Sequence, residues 1–200
     1  MRPRDKTIFY REHRMEKNNL IQIMTEKAVA VGTIVHEISS VSNALQYAVD
    51  LNKEKHLKTM ACPGLDSEDR DRLLDLCKSS GMDLLEEPLR NNASSLDTSL
   101  TWIDFGIADT GTLMLASDSE EIRIATMLAK IHIAMLPVSK IRLNTGSIEA
   151  DLNDILKKDS ASYTAFITGP SRTADIERVL AIGVHGPVEL HLLLIKDMQP

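Results

Sequence analysis

Short apolar runs alternate along this chain with segments whose apolar residues recur at helical spacing. The strand-like runs are residues 58–62, 82–85, 100–104, 112–116, 131–136, 163–168 and 189–195. The helix-like segments are residues 43–51, 67–80, 119–128 and 147–158. Such alternation is typical of a layered α/β fold, with a mostly parallel sheet flanked by helices. Ligands of such sheets bind at the carboxyl ends of the strands.

The predicted domain organisation is simple. Residues 1–27 are polar and helix-prone and are predicted to form an N-terminal helical arm, whose second half packs on the body through Leu20 and Met24. Residues 28–200 are predicted to form one domain, because this length suits a single core. Within it, residues 28–36 are predicted to be a strand interrupted by Gly32.

Composition excludes several classes of protein. The chain has 23 Lys and Arg against 29 Asp and Glu, a net charge of −6, which argues against a general nucleic-acid binder. No apolar run approaches the roughly 20 residues of a membrane span, and no signal-like segment begins the sequence. Cys62 and Cys77 form no CxxC pattern, so we predict no metal or cofactor in this chain and a cytoplasmic location.

The stretch from Thr168 to Glu177 (TGPSRTADIE) contains several of the residues that could bind a ligand or take part in a reaction. It follows an apolar run and begins with Gly-Pro, so we predict a strand, a tight turn and a helix over residues 173–180. Ser171 or Thr173 would cap that helix, whose free N–H groups would form an anion site beside Arg172. The alternative is that Arg172 pairs with an acidic neighbour, Asp175 or Glu177, and only holds the turn.

Two further turns, Asp109–Thr112 (DTGT) and Gly183–Pro187 (GVHGP), are expected to meet the first at one rim of the sheet. The ligand-binding candidates are Thr110, Gly111, Thr112, Ser171, Arg172 and Thr173. The catalytic candidates are His185, Asp109 and Asp175. His185 suits proton transfer because its ordinary pKa lies near neutrality, and a strand-end carboxylate such as Asp109 suits a general base. The alternative for Asp104 and Asp109 is that they cap backbone N–H groups in their turn.

Familiar catalytic motifs are missing from the sequence. It contains no phosphate-binding GxxxxGK[ST] loop, no GxGxxG after a strand and no GxSxG nucleophile elbow. His132 and His191 lie in apolar strand patterns, which favours structural histidines, and Cys62 is predicted to be buried rather than catalytic.

Three stretches resemble the lactate-utilisation protein C family, the LUD-domain proteins: DFGIADTGTL at 104–113, ITGPSRTADIE at 167–177 and LAIGVHGP at 180–187. The resemblance implies a fold like that of the ribose-5-phosphate isomerase and CoA-transferase superfamily. It also implies a part in the oxidation of L-lactate to pyruvate together with iron–sulfur partner proteins, which carry the clusters.

Three functions remain open from the sequence. The first is an accessory component that binds a small carboxylate or another anionic ligand at the Arg172 rim. The second is a free-standing enzyme that acts on a sugar phosphate, nucleotide or CoA thioester. The third is a non-catalytic docking subunit. Whether the chain is itself an enzyme stays open.

Overall fold

The computed structural model describes residues 18–157, 163–175, 179–183 and 185–196. The helices in these residues are α1 (residues 18–30), α2 (Val41–Glu54), α3 (Ser67–Ser79), α4 (Glu120–Leu128) and α5 (Glu149–Leu156). The strands are β1 (Ile34–Ile38), β2 (Thr59–Ala61), β3 (Asp83–Leu84), β4 (Thr98–Trp102), β5 (Phe105–Ile107), β6 (Thr112–Ser117), β7 (Ile131–Pro137), β8 (Ile141–Arg142), β9 (Tyr163–Ile167), β10 (Arg172–Asp175), β11 (Val179–Ile182) and β12 (Glu189–Ile195).

Six parallel strands form the central sheet, in the order β1-β12-β7-β4-β2-β3. Its middle strands, β12, β7 and β4, are almost entirely buried, which explains their continuous apolar sequences. The predicted α/β class with a mostly parallel, helix-flanked sheet is confirmed.

Helices α2 and α3 cover one face of this sheet. Leu45 and Val49 of α2 and Leu73 of α3 are fully buried in one cluster with Leu100 and Leu193 of the strands. Helix α2 begins where the Ser40 side chain accepts a hydrogen bond from the Asn43 N–H at 3.2 Å. Its apolar residues recur at helical spacing, so one side of the helix is buried on the sheet.

The other face is covered by α1 and by a second, four-stranded sheet in the order β8-β5-β6-β9. Met24 and Ala28 of α1 are fully buried there, beside Leu113 of β6 and Leu192 of β12. The predicted packing of Met24 on the body is confirmed. The sequence predicted β6 and β9 as strands but not that they form a separate sheet, because β5, which pairs antiparallel with β6, lies in what the sequence suggested was a turn.

Two predictions of local structure are wrong. A helix was predicted over residues 173–180, but the described residues on either side of 176–178 are strands: β10 and β11 pair antiparallel, with Arg172 opposite Ile182. Eight residues make a marginal helix on their own, whereas Thr, Val and Ile suit a strand that finds a partner. Residues 28–36 are not one strand either, since α1 continues to residue 30 and β1 begins at Ile34 after the turn at Gly32.

Candidate functional site

The Asp109–Thr112 turn and the Gly169 turn lie side by side. Strands β6 and β9 are antiparallel, with Leu113 opposite Ile167, so the start of β6 adjoins the end of β9. The Thr112 and Thr168 hydroxyl groups are 2.8 Å apart and share a hydrogen bond.

The third turn reaches the same place through Ser171. The Ser171 N–H donates to the Pro187 carbonyl at 2.9 Å, and the Gly183 N–H donates to the Ser171 carbonyl at 3.0 Å. The structure therefore brings the three turns together. We call residues 109–112, 168–172, 183 and 185–187 the motif junction.

The motif junction lies at the amino edge of the central sheet. Residues 183–187 immediately precede β12, and the next N–H, that of Val188, donates to the Lys130 carbonyl directly before β7, at 2.8 Å. The expectation that these turns mark the carboxyl ends of the parallel strands is therefore wrong. Asp109 and Thr168 do follow strands, but those strands belong to the second sheet.

Arg172 contacts the end of α1. Its guanidinium Nη2 donates a hydrogen bond to the Val31 carbonyl, in the turn that follows the helix, although much of the side chain is exposed. A cation beside the last carbonyls of a helix satisfies their free acceptors and complements the helix dipole. The contact gives Arg172 a structural role with a helix-end carbonyl as its partner, whereas the pairing with Asp175 or Glu177 stays a prediction.

The remaining candidates differ in exposure. Asp109, Thr110 and His185 are exposed, whereas Thr112 is buried. Backbone contacts hold the Asp109 turn, since the Asp109 N–H donates to the Leu143 carbonyl at 3.0 Å.

The backbones of Thr173 and Asp175 lie in β10. Their side chains, and the whole of Glu177, lie outside the described residues, so the proposed ligand contacts of Thr173 and Asp175 stay predictions.

Asp104 holds two strands together. Its Oδ2 accepts a hydrogen bond from the Ala116 N–H at 2.8 Å, and its own N–H donates to the Met114 carbonyl at 3.1 Å. The carboxylate thus ties the end of β4 to β6, as the backbone-capping alternative proposed, although its partner is in the strand rather than in the turn.

A chain of hydrogen bonds that the sequence did not reveal joins α2 to β12. The Tyr47 hydroxyl lies 2.7 Å from His191 Nδ1, and His191 Nε2 lies 3.0 Å from Glu189 Oε2. Lys55 Nζ completes the chain at 2.8 Å from Glu189 Oε1. Glu189 and His191 are two residues apart on one strand and so point to the same face, which the sequence could have shown. Tyr47 is distant in sequence and gives no such signal.

The environment of these hydrogen-bonded side chains keeps the His191 ring and the Tyr47 hydroxyl uncharged. Burial lowers the pKa of His191, and burial followed by the charge of Glu189 raises the pKa of Tyr47. Burial opposes ionisation of Glu189, but hydrogen bonds from Lys55 and His191 hold its pKa below the ordinary value. A neutral His191 that donates a hydrogen bond from Nε2 to Glu189 accepts a hydrogen bond from the Tyr47 hydroxyl at Nδ1. His191 is the structural histidine that the sequence predicted.

His132 and Cys62 are both buried and uncharged at neutral pH. His132 Nε2 is 2.8 Å from the Thr101 hydroxyl, and complete burial lowers the pKa of His132 to about 4. Burial raises the pKa of the Cys62 thiol to about 11, so it is a poor nucleophile. Among the described residues no three His, Cys, Asp or Glu side chains are grouped to hold a metal ion. Nor is any helix of the described part long and apolar enough to cross a membrane.

The architecture, a parallel α/β sheet backed by a small second sheet and closed by a junction of glycine-containing turns, matches a known class. The family model described as "LUD domain" matches residues 21–195. The chain therefore belongs to the LUD domain family.

Several curated relatives carry the name "Lactate utilization protein C". The one from Halalkalibacterium halodurans is 26% identical over 94% of this chain and 83% of its own length, and the one from Macrococcus caseolyticus is 25% identical over 98% and 84%. The one from Bacillus subtilis is 34% identical over 52% of this chain and 45% of its own length. A crystal structure of a DUF162 family protein from Deinococcus radiodurans has a TM-score of 0.61 at 16% identity, covering 90% of this chain and 98% of that one. That likeness concerns the fold.

Proposed function

We propose that this chain is a component of a lactate-utilisation system and acts with iron–sulfur partner proteins in the oxidation of L-lactate to pyruvate. The observation that carries the proposal is the pair of relatives named "Lactate utilization protein C" that align with 94% and 98% of the chain. The partners would supply the redox centres, because a cluster of the usual kind needs four thiolates and this chain has two cysteines.

The motif junction is the proposed docking surface for such a partner. Arg172 contacts the Val31 carbonyl, and Asp109, Thr110 and His185 are exposed around it. This arrangement favours a surface that meets a protein over an enclosed carboxylate site.

Apolar side chains extend this surface. Met127, Leu128 and Val188 are 46%, 53% and 45% exposed, and the Met127 carbonyl lies beside Gly186 of the junction. Exposed apolar groups rimmed by polar ones are typical of protein interaction sites.

Genetic complementation tests the function. In a strain that lacks the native gene, this chain is expected to restore L-lactate-dependent oxidation when its iron–sulfur partners are present, and a tagged copy is expected to retain those partners during purification. A chain that is expressed and folded but restores no oxidation would contradict the proposal.

A pair of variants tests the docking surface. Leu128→Asp is expected to weaken retention of the partners at least tenfold, because it places a charge in the apolar part of the interface. The control is Lys78→Asp, at an exposed position on α3 beyond the opposite face of the sheet. Equal retention by both variants would exclude the motif junction as the interface.

A further inference from the structure

A cleft of about 420 Å³ opens at the carboxyl edge of the central sheet, away from the motif junction. The turn of residues 62–65 after β2 and residues 85–87 after β3 form its walls, and Arg70 of α3 lines it as well. This volume is within the usual range of small-molecule sites.

The strand order favours a ligand at this edge. Strands β2 and β4 are neighbours, but the chain leaves them in opposite directions, from β2 through α3 to β3 and from β4 through α4 to β7. Helix α3 packs on one face of the sheet, and α4 packs with Ala61 on the other. Connections that diverge in this way open a crevice at the carboxyl ends of the strands, where ligands of open α/β sheets bind.

The charged groups of the cleft are not paired with each other. Within the described part of the chain, Arg70, Glu86 and Glu87 form no side-chain hydrogen bond or ion pair, although all three line the same cleft. Nearby arginines are paired: Arg72 contacts Glu68 and Asp69, and Arg90 contacts Glu120.

Arg70 and Glu87 both act on the buried Cys62 thiol of the cleft wall. Burial is the main cause that raises the pKa of Cys62, Arg70 opposes the increase and Glu87 adds to it. The two opposite charges therefore lie within electrostatic reach of the same sulfur atom. Arg70 is also half-buried, which strengthens its interaction with an anion.

We propose that this cleft binds a small carboxylate that carries a neighbouring hydrogen-bond donor, a 2-hydroxy or 2-amino acid. The fork of Arg70 binds the carboxylate in a bidentate manner, and the carboxylates of Glu86 and Glu87 accept hydrogen bonds from the hydroxyl or ammonium group. This chemistry depends on the cleft alone, whereas the choice of L-lactate as the occupant rests on the proposed function.

Three ligands of nearly the same shape separate the two kinds of contact. Isothermal titration of the purified chain with L-lactate, L-alanine and propionate compares a hydroxyl, an ammonium and no donor beside the same carboxylate. We expect L-lactate or L-alanine to bind at least tenfold more tightly than propionate. Equal affinity for all three would overturn the role of the two glutamates, and no binding of any would overturn the site.

Variants then locate the site. Arg70→Gln is expected to weaken binding at least tenfold, and Arg70→Lys to restore part of it, because lysine keeps the charge without the fork. Arg72→Gln, two residues further along α3, is the matched control and should bind as the unaltered chain does. Binding that survives Arg70→Gln, or that is lost in Arg172→Gln instead, would overturn the inference.

The two proposals fail in different ways. A chain that restores lactate oxidation in cells but binds no 2-substituted carboxylate contradicts only the cleft. A chain whose binding depends on Arg70 but which restores no oxidation contradicts only the lactate function.

Discussion

Gly169 and Gly111 lie against the end of α1 at distances that exclude a side chain. A Cβ at Gly169 would overlap the Val31 carbonyl oxygen, and one at Gly111 would overlap the backbone of Lys27 and Ala28. Both residues also have a positive φ, +76° and +66°, which favours glycine. The sequence indicated turns at these glycines, but it could not show that a helix end packs on them.

Gly169→Ala is expected to destabilise the protein by roughly 3 kcal/mol, from about 1 kcal/mol of backbone strain and about 2 kcal/mol of steric overlap. Gly81→Ala is the control, because Gly81 also has a positive φ (+65°) but no atom within 4 Å of the added Cβ. It should cost only about 1 kcal/mol. Urea denaturation measures both, and equal losses would mean that the close approach to α1 is not tight.

Protonation of His132 is expected to reduce stability in weak acid. The pKa of His132 is about 4 when folded and about 6.5 in the unfolded chain, so the unfolded state binds the proton more readily between these values. The His132 contribution is complete above pH 6.5 and is lost as the pH falls towards 4, by about 3 kcal/mol in total.

Denaturation at a series of pH values measures this loss. In His132→Asn the slope between pH 6.5 and 4 should become shallower. His56→Asn is the control, because His56 is exposed and its positive φ of 57° suits asparagine, and it should keep the full slope. An unchanged slope in His132→Asn would contradict the prediction.

At the scale of single elements, the sequence predicts the helices that are stabilised by residues within their own segment. Helices α2, α3 and α4 have apolar residues at helical spacing and capping side chains, and each lies close to its predicted position. The pairing of β10 with β11 depends on a partner outside each strand, and the end of α1 depends on contacts with distant parts of the chain, through the buried Ala28. Local propensity cannot report such contacts.

The cap of α3 provides a test at this scale. Ser67 is the first residue of the predicted helix, and the Asp66 side chain before it accepts the capping hydrogen bond from the Asp69 N–H, at 2.9 Å. Asp66→Ala is expected to cost about 1 kcal/mol in thermal denaturation, whereas Ser67→Ala should be nearly neutral. A larger loss for Ser67→Ala would show that the helix begins one residue later.

For the whole molecule, the sequence predicted the layered sheet. It also predicted the meeting of the three turns, because all three have a similar composition of Gly, Thr and charged residues. It did not predict the edge at which they meet. That edge depends on the order of the strands, above all on the insertion of β12 between β1 and β7. The sequence did not predict the carboxyl-edge cleft for the same reason, since Arg70 and Glu87 line one cleft only when β2 and β3 pair.

Helix α1 spans the predicted boundary between residues 27 and 28 and contributes to the core. Met24→Ala is therefore expected to destabilise the whole protein by about 3 kcal/mol, through lost burial and a cavity. Val29→Ala on the same helix, at a position that is 55% exposed, should change stability by less than about 0.5 kcal/mol. A single cooperative transition in both variants would show that α1 and the sheet unfold together, and a small loss for Met24→Ala would indicate a separable arm.

The insertion of β12 between β1 and β7 also determines the order in which the strands can pair as the chain leaves the ribosome. Within the described residues, β1 joins the central sheet only through β12, with Ile34 beside His191, which is synthesised much later. Strands β2, β3, β4 and β7 can assemble while synthesis continues, but β1 must wait with its backbone unpaired. Nascent chains arrested before residue 189 should therefore expose two unfilled strand edges and depend on chaperones, a dependence that ends once β12 emerges.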